Sequence, residues 1–154
     1  MLQVGHDFPD FSLQDQNGEV VEKKDLLGQD TIVYFYPKDD TPGCTVEACE
    51  FQSSAGDLKS AGKNGVRVVG VSPDNSKSHK KFADKFGLAF TLLADVDHAL
   101  SEACEVWVEK SMYGKKYMGV ERTTFLLDAS GQVKKVFSKV KPQGHAAEIL
   151  QSLA

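Results

Sequence analysis

Cys44 and Cys49 stand five residues apart in the segment Pro37-Lys38-Asp39-Asp40-Thr41-Pro42-Gly43-Cys44-Thr45-Val46-Glu47-Ala48-Cys49. The chemistry open to such a pair is nucleophilic attack by a thiolate, followed by thiol–disulfide exchange. Thr41 is a natural N-cap and Pro42 suits the first position of a helix, which puts Cys44 in the first turn. A first-turn cysteine faces unpaired backbone N–H groups and the positive end of the helix dipole. Both favour the thiolate, the nucleophilic form, over the ordinary buried thiol that a free cysteine otherwise becomes.

Five residues of α-helix separate two side chains by about 140° around the axis and about 7.5 Å along it, so the Cα atoms lie roughly 8 to 9 Å apart. A disulfide needs them within about 7 Å. Either the two cysteines never pair, or the first turn unwinds when they do. The spacing also differs from that of Cys-x-x-Cys reductases, which bridge with little rearrangement. Metal chemistry fits less well, because the pair lacks a nearby third and fourth ligand and His6, His79, His98 and His145 are scattered along the chain. The histidines are expected at surface or capping positions. Asp95-Val96-Asp97 begins like a calcium loop, but Ala99 and Leu100 stand where a ligand and a glycine are needed. No phosphate-binding or dinucleotide glycine pattern occurs.

The elements that position the cysteines follow from periodicity. Asp30–Tyr36 is an unbroken β-branched and aromatic run, as in a strand covered on both faces, and Pro37 ends it. Val66–Ser72 is a second such strand. Between them, Thr45 to Ala61 carries Ala48, Phe51, Ala55 and Leu58 at helical spacing. Strand, helix, strand in this order predicts a right-handed crossover and a parallel pair. Phe8–Leu13 and Glu19–Glu22 flank Asn17-Gly18 as a short hairpin. A helix over Ser76–Phe86 stops at Gly87, a short helix spans Asp97–Cys104, and a last helix runs from Gly144 to Leu153. Thr123–Leu127 and Gln132–Phe137 form a hairpin around Gly131. The order predicts an α/β fold, a mixed central sheet flanked by helices and compatible with a thioredoxin-like arrangement.

Composition sets the outer bounds. The 154 residues, 41% apolar and 26% charged, suit one globular domain spanning 1–154, with no internal repeat or linker. A net charge of −4 lacks the positive field needed to grip nucleic acid independently of sequence. The lysine pairs at 23–24, 80–81, 115–116 and 134–135 read as a solvated mixed surface. No apolar run is long enough to cross a bilayer, and the start of the chain has no signal-peptide pattern, so neither a membrane nor export is expected and the cytoplasm is the expected address. Three cysteines, an odd number, argue for reactive or buried thiols rather than a disulfide framework.

At these residues the chain resembles the peroxiredoxins, most nearly their bacterioferritin comigratory protein (PrxQ) branch. Pro37-x-x-x-Thr41-x-x-Cys44 matches the active-site pattern of the family. Cys49 matches a resolving cysteine found five residues later in many members of the branch. Tyr34-Phe35-Tyr36-Pro37, Gly70-Val71-Ser72-Pro73-Asp74 and Glu121-Arg122-Thr123-Thr124-Phe125-Leu126 extend the match nearly end to end. The resemblance implies a thioredoxin fold and a peroxide pocket made of Pro37, Thr41, Cys44 and Arg122. It implies that Cys44 attacks hydrogen peroxide or an organic hydroperoxide to give a sulfenic acid, that Cys49 converts this into a Cys44–Cys49 disulfide, and that thioredoxin or a related dithiol protein reduces it.

Within that implied pocket Arg122 supplies a permanent cation, Thr41 caps the helix and offers its hydroxyl to the peroxide or the thiolate, and Pro37 shields the pocket from water. No cofactor or metal is implied, and with Cys49 present no second chain is needed, so a monomer is expected. Cys104 lies outside the motif and, with Ala99, Leu100 and Ala103 around it, reads as a packed thiol. Trp107, Tyr113 and Met118 are either a shallow apolar rim for organic peroxides or part of the core. Two other functions compete: a general dithiol–disulfide oxidoreductase, against which the missing Cys-x-x-Cys counts, and a peroxide sensor or holdase without turnover.

Overall fold

The computed structural model describes residues 1–61 and 64–153. Its elements run β1 (Ser12–Gln14), β2 (Val20–Glu22), a 3-10 turn (Lys23–Leu26), β3 (Asp30–Phe35), α1 (Pro42–Ser53), α2 (Ala55–Lys59), β4 (Val66–Ser72), α3 (Ser76–Phe86), β5 (Thr91–Ala94), α4 (Ala99–Ala103), β6 (Trp107–Met112), β7 (Lys115–Val120), β8 (Thr123–Leu127), β9 (Val133–Phe137) and α5 (His145–Leu153). Seven strands form one mixed sheet in the order β2-β1-β5-β4-β3-β8-β9, and β6 pairs with β7 as a separate hairpin. The expected β3–β4 pair is parallel, with Tyr34 opposite Gly70. β8 runs antiparallel to β3 on its other side.

The unbroken apolar runs are explained by two cores, one on each face of the sheet. Side chains alternate across a strand. Ile32, Tyr34, Val66, Val68 and Leu126 enter one core with Ala48 and Phe51 of α1 and Ile149 of α5. Val33, Phe35, Val69, Val71, Phe125 and Leu127 enter the other with Phe8, Leu100 and Cys104. Gly70 is required where it stands, because a Cβ there would lie 2.9 Å from Tyr34 Cζ and 2.9 Å from Leu92 Cδ2. Three expectations need correction. The helix predicted from Thr45 to Ala61 is two helices, broken at Ser54, whose φ and ψ of −88° and 1° leave the helical region. The first hairpin is shorter than predicted, its strands beginning at Ser12 and Val20. The predicted helix over 97–104 begins at Ala99, because His98 takes a left-handed φ of 51°. No helix among the described residues is long and apolar enough to cross a membrane.

Candidate active site

β3 ends at Phe35, and the chain turns through Pro37–Asp40 into α1, at the end of the sheet where α/β proteins place their sites. A buried polar network holds this loop. The Asp39 carboxylate accepts a hydrogen bond from the Tyr36 hydroxyl at 2.6 Å and from the Ser78 hydroxyl at 2.8 Å. His79 Nδ1 lies 2.7 Å from the same carboxylate, and its Nε2–H donates to the Leu93 carbonyl at 2.9 Å. The Asp39 amide donates to Asp74 at 2.8 Å, and Asp74 also accepts from the Ser72 hydroxyl at 2.7 Å. Asp39, Asp74 and His79 thus bring ligand-type atoms within 4.8 Å of one another. Those atoms already serve donors of the loop and of α3, so the cluster reads as an anchor rather than a metal centre. His79 and His145 are buried, not at the surface or capping positions expected of them. The sequence signal missed was His79 three residues beyond Ser76, on the same face of α3 as Phe82 and Ala83.

Thr41 is the N-cap residue of α1 and Pro42 its first helical residue, as expected. The side chain departs from expectation: the Thr41 hydroxyl donates to the Lys38 carbonyl at 2.9 Å instead of capping the helix. Its oxygen lone pairs stay free to accept, and the Gly43 and Cys44 N–H groups are not capped by it. Cys44 is 1% exposed. Arg122, just ahead of β8, donates from Nη2 to Cys44 Sγ at 3.0 Å and from Nη1 to Glu47 Oε1 at 3.0 Å. Gly43 makes room for this fork, since a Cβ there would sit 3.0 Å from Arg122 Nη2 and 3.3 Å from Pro142 Cγ. The Val140 amide donates to the Arg122 carbonyl at 3.0 Å and fixes the other end of the residue.

Glu47 is a member of this group that motif reading did not supply. It is buried, and burial pushes its carboxyl up to about 7 although the Arg122 guanidinium pulls the other way. Its signal was an acidic residue three positions after Cys44, on the helix face shared with Ala48 and Phe51. Cys49 lies half-buried farther along α1, its carbonyl accepting from the Ser53 hydroxyl at 2.9 Å. Both cysteines are free thiols in one continuous helix, too far apart to bond without a change of conformation. Pro37 is half-buried at the bend after β3. Cys104 is buried in the second core, on the opposite face of the sheet from Cys44, and burial pushes its thiol far up. Trp107 stacks on His98 at 4.1 Å between ring centroids and packs against that second core, whereas Tyr113 at the hairpin tip is 98% exposed. Met118 is exposed like Tyr113, so of the three rim candidates only Trp107 packs against the core.

The pattern of the AhpC/TSA family matches residues 4–136. A putative peroxiredoxin bcp of Coxiella burnetii is 47% identical over 152 residues, covering 99% of both chains. Peroxiredoxin Bcp of Bacillus subtilis is 45% identical over 152 residues, covering 99% of this chain and 95% of its own. Among solved structures, the bacterioferritin comigratory protein of Xanthomonas campestris, studied for its alkyl peroxide reduction activity, superposes with a TM-score of 0.88 at 40% identity, covering 99% of this chain and 96% of that one. The chain belongs to the AhpC/TSA family and is a peroxiredoxin of the bacterioferritin comigratory protein branch, a thiol-dependent peroxidase with a thioredoxin-like fold.

Proposed function

We propose that Cys44 is the residue that meets the peroxide and that Cys49 resolves the product. The Cys44 thiolate attacks the terminal oxygen of R–O–O–H. The O–O bond breaks, Cys44 becomes a sulfenic acid, and the leaving alkoxide takes a proton to depart as the alcohol, or as water from hydrogen peroxide. Arg122 stabilises the thiolate and the charge growing on the leaving oxygen. The uncapped N–H groups at the start of α1 are placed for the same anion, and the Thr41 oxygen accepts from the peroxide O–H. Pro37 limits water at the mouth of the pocket. The Cys49 thiolate then attacks the Cys44 sulfur, a disulfide forms, and hydroxide leaves as water. Two thiols of a thioredoxin-like protein restore Cys44 and Cys49 and become a disulfide themselves.

The observation that carries this reading is the 3.0 Å contact from Arg122 Nη2 to the buried Cys44 sulfur in the first turn of α1. Both thiols belong to one chain, so a monomer suffices. An odd number of cysteines, two of them spaced for transient pairing, suits a reducing compartment such as the cytoplasm. A single-turnover assay with the Cys44→Ser and Cys49→Ser variants tests the assignment. Cys44→Ser is expected to consume no peroxide, and Cys49→Ser about one peroxide per chain, because forming the sulfenic acid needs only Cys44. Equal and complete loss in both variants would refute it.

A further inference from the structure

A hydroxyl has one proton to give, and that of Thr41 goes to the Lys38 carbonyl at 2.9 Å. Toward Cys44 and an incoming peroxide, the Thr41 oxygen can therefore only accept. A hydroperoxide R–O–O–H brings the matching donor, whereas a thiolate brings none. The direction of this one hydrogen bond selects between the two uses of the hydroxyl that the sequence left open. That direction depends on where the Lys38 carbonyl points.

The Lys38 carbonyl and the Asp39 N–H belong to one planar peptide unit and point to opposite sides of it. The Asp39 N–H donates to Asp74 Oδ2 at 2.8 Å, so Asp74 grips one side of the unit while the Thr41 hydroxyl binds the other. Asp74 is itself held. The Ser72 hydroxyl, buried at the end of β4, donates to the same Oδ2 at 2.7 Å, and the Asp74 amide donates back to Ser72 Oγ at 3.2 Å. Pro73 between them has its φ fixed by its ring. An amide whose N–H binds a carboxylate also offers a more strongly accepting carbonyl. Beyond the peptide the chain reverses at Asp40, whose φ of 54° is uncommon for a residue other than glycine and whose carboxylate accepts from Lys85 Nζ at 2.8 Å.

We infer that Asp74 is a positioning residue of the peroxidase reaction, which through the Lys38–Asp39 peptide keeps the Thr41 oxygen turned as an acceptor for the peroxide O–H. Its effect falls on the meeting of peroxide and sulfur and not on the thiolate, which Arg122 contacts independently at 3.0 Å. The inference rests on the reading that Cys44 meets the peroxide beside Thr41.

The experiment compares the reduced full-length parent with Asp74→Ala, with Asp74→Ser, whose oxygen ends one bond short of the amide, and with Asp74→Asn, which keeps an acceptor at the same reach. Two rates are read at Cys44: with hydrogen peroxide, by competition against a haem peroxidase, and with iodoacetamide, by peptide mass spectrometry. Asp74→Ala and Asp74→Ser are expected to react with peroxide about 5- to 10-fold more slowly, yet with iodoacetamide within about twofold of the parent. Asp74→Asn is expected to stay within about threefold in both, since it loses only the charge behind the hydrogen bond. In a Thr41→Val background, Asp74→Ala is expected to slow the peroxide reaction by less than about twofold further, because the hydroxyl that it misplaces is gone. Equal slowing of both rates, an undiminished loss in the Thr41→Val background, or Asp74→Asn behaving like Asp74→Ala overturns the inference. A fault in the underlying reading shows separately: Thr41→Val alone then reacts at the parent rate, or Cys44→Ser consumes peroxide.

Discussion

Replacing Glu47 by glutamine isolates the least expected member of the site. Glu47 is 1% exposed, and its carboxyl moves from an ordinary 4.5 to about 7 on folding, with burial as the main cause and Arg122 opposing it. A carboxyl whose proton is held more tightly in the folded state stabilises the fold fully below the unfolded value. That stability is lost as pH rises through the folded value. From pH 4.5 to about 7 the unfolded chain has released the proton and the folded chain has not, so stability falls by about 1.4 kcal/mol per pH unit, or about 3 kcal/mol in all. Glutamine keeps an oxygen for the Arg122 N–H but has no proton to lose. Urea unfolding of parent and Glu47→Gln at intervals from pH 5 to 8 is the assay. Taking the difference between the two proteins cancels every other titrating group. The variant is expected to gain on the parent up to about pH 7 and to level off above it, and parallel stability–pH curves would refute the reasoning.

Two other outcomes follow from the geometry. Arg122→Lys keeps a charge but loses the planar fork that reaches Cys44 Sγ and Glu47 Oε1 together at 3.0 Å each, so peroxide reduction should slow by about tenfold or more with the melting temperature little changed; a rate–pH profile that overlays the parent's would remove Arg122 from the site. Amide exchange over residues Thr45 to Phe51 should quicken in the disulfide form while the strand from Thr31 to Tyr36 is unchanged, because the helix must open for the two sulfurs to meet; equal protection in both redox forms would mean that Cys49 is not the partner of Cys44.

What could be read in the sequence was what depends on near neighbours. β3 and β4 announce themselves because both faces are covered, and α3 ends where Gly87 takes a φ of 63°. Thr41 and Pro42 place Cys44 at a helix start without knowledge of any relative. Arg122 is different: nothing local distinguishes an arginine ahead of a strand from a surface residue, and family resemblance alone drew it to Cys44. The β6–β7 hairpin was missed because Ser111 to Met118 are exposed on both faces, which erases the alternation that marks a half-buried strand. β5 was missed because its four residues, Thr91–Ala94, are too few to show a period. The polar anchor was missed for a third reason, since Asp39 meets His79 across 40 residues and only the folded chain brings them together. The break at Ser54 interrupts an apolar spacing that reads straight through to Leu58.

If Cys44 meets the peroxide as proposed, the features that favour its thiolate also weaken the start of α1. Several ties hold the helix down, among them Glu47 to Arg122, Glu50 to the Gly144 amide at 3.0 Å, Gln52 to the Ala89 amide at 2.8 Å, and Phe51 stacked on Tyr34 at 4.6 Å between ring centroids. Against them stand the missing side-chain cap at Thr41, the break at Ser54 after only 12 helical residues, and a Glu47 carboxylate that is costly to ionise where it is buried. Beneath the helix, the buried Tyr34 hydroxyl has no hydrogen-bond partner among the described residues, a cost of about 1 to 3 kcal/mol that water would relieve once α1 lifts. Opening the helix therefore hydrates two groups that suffer from burial while it separates Phe51 from Tyr34. A helix start left uncapped for an anion, and a carboxylate buried to aim an arginine, both lower the stability of the turn that carries Cys44. On the proposed assignment, reactivity of Cys44 toward the peroxide and unwinding toward Cys49 would be two consequences of the same local arrangement.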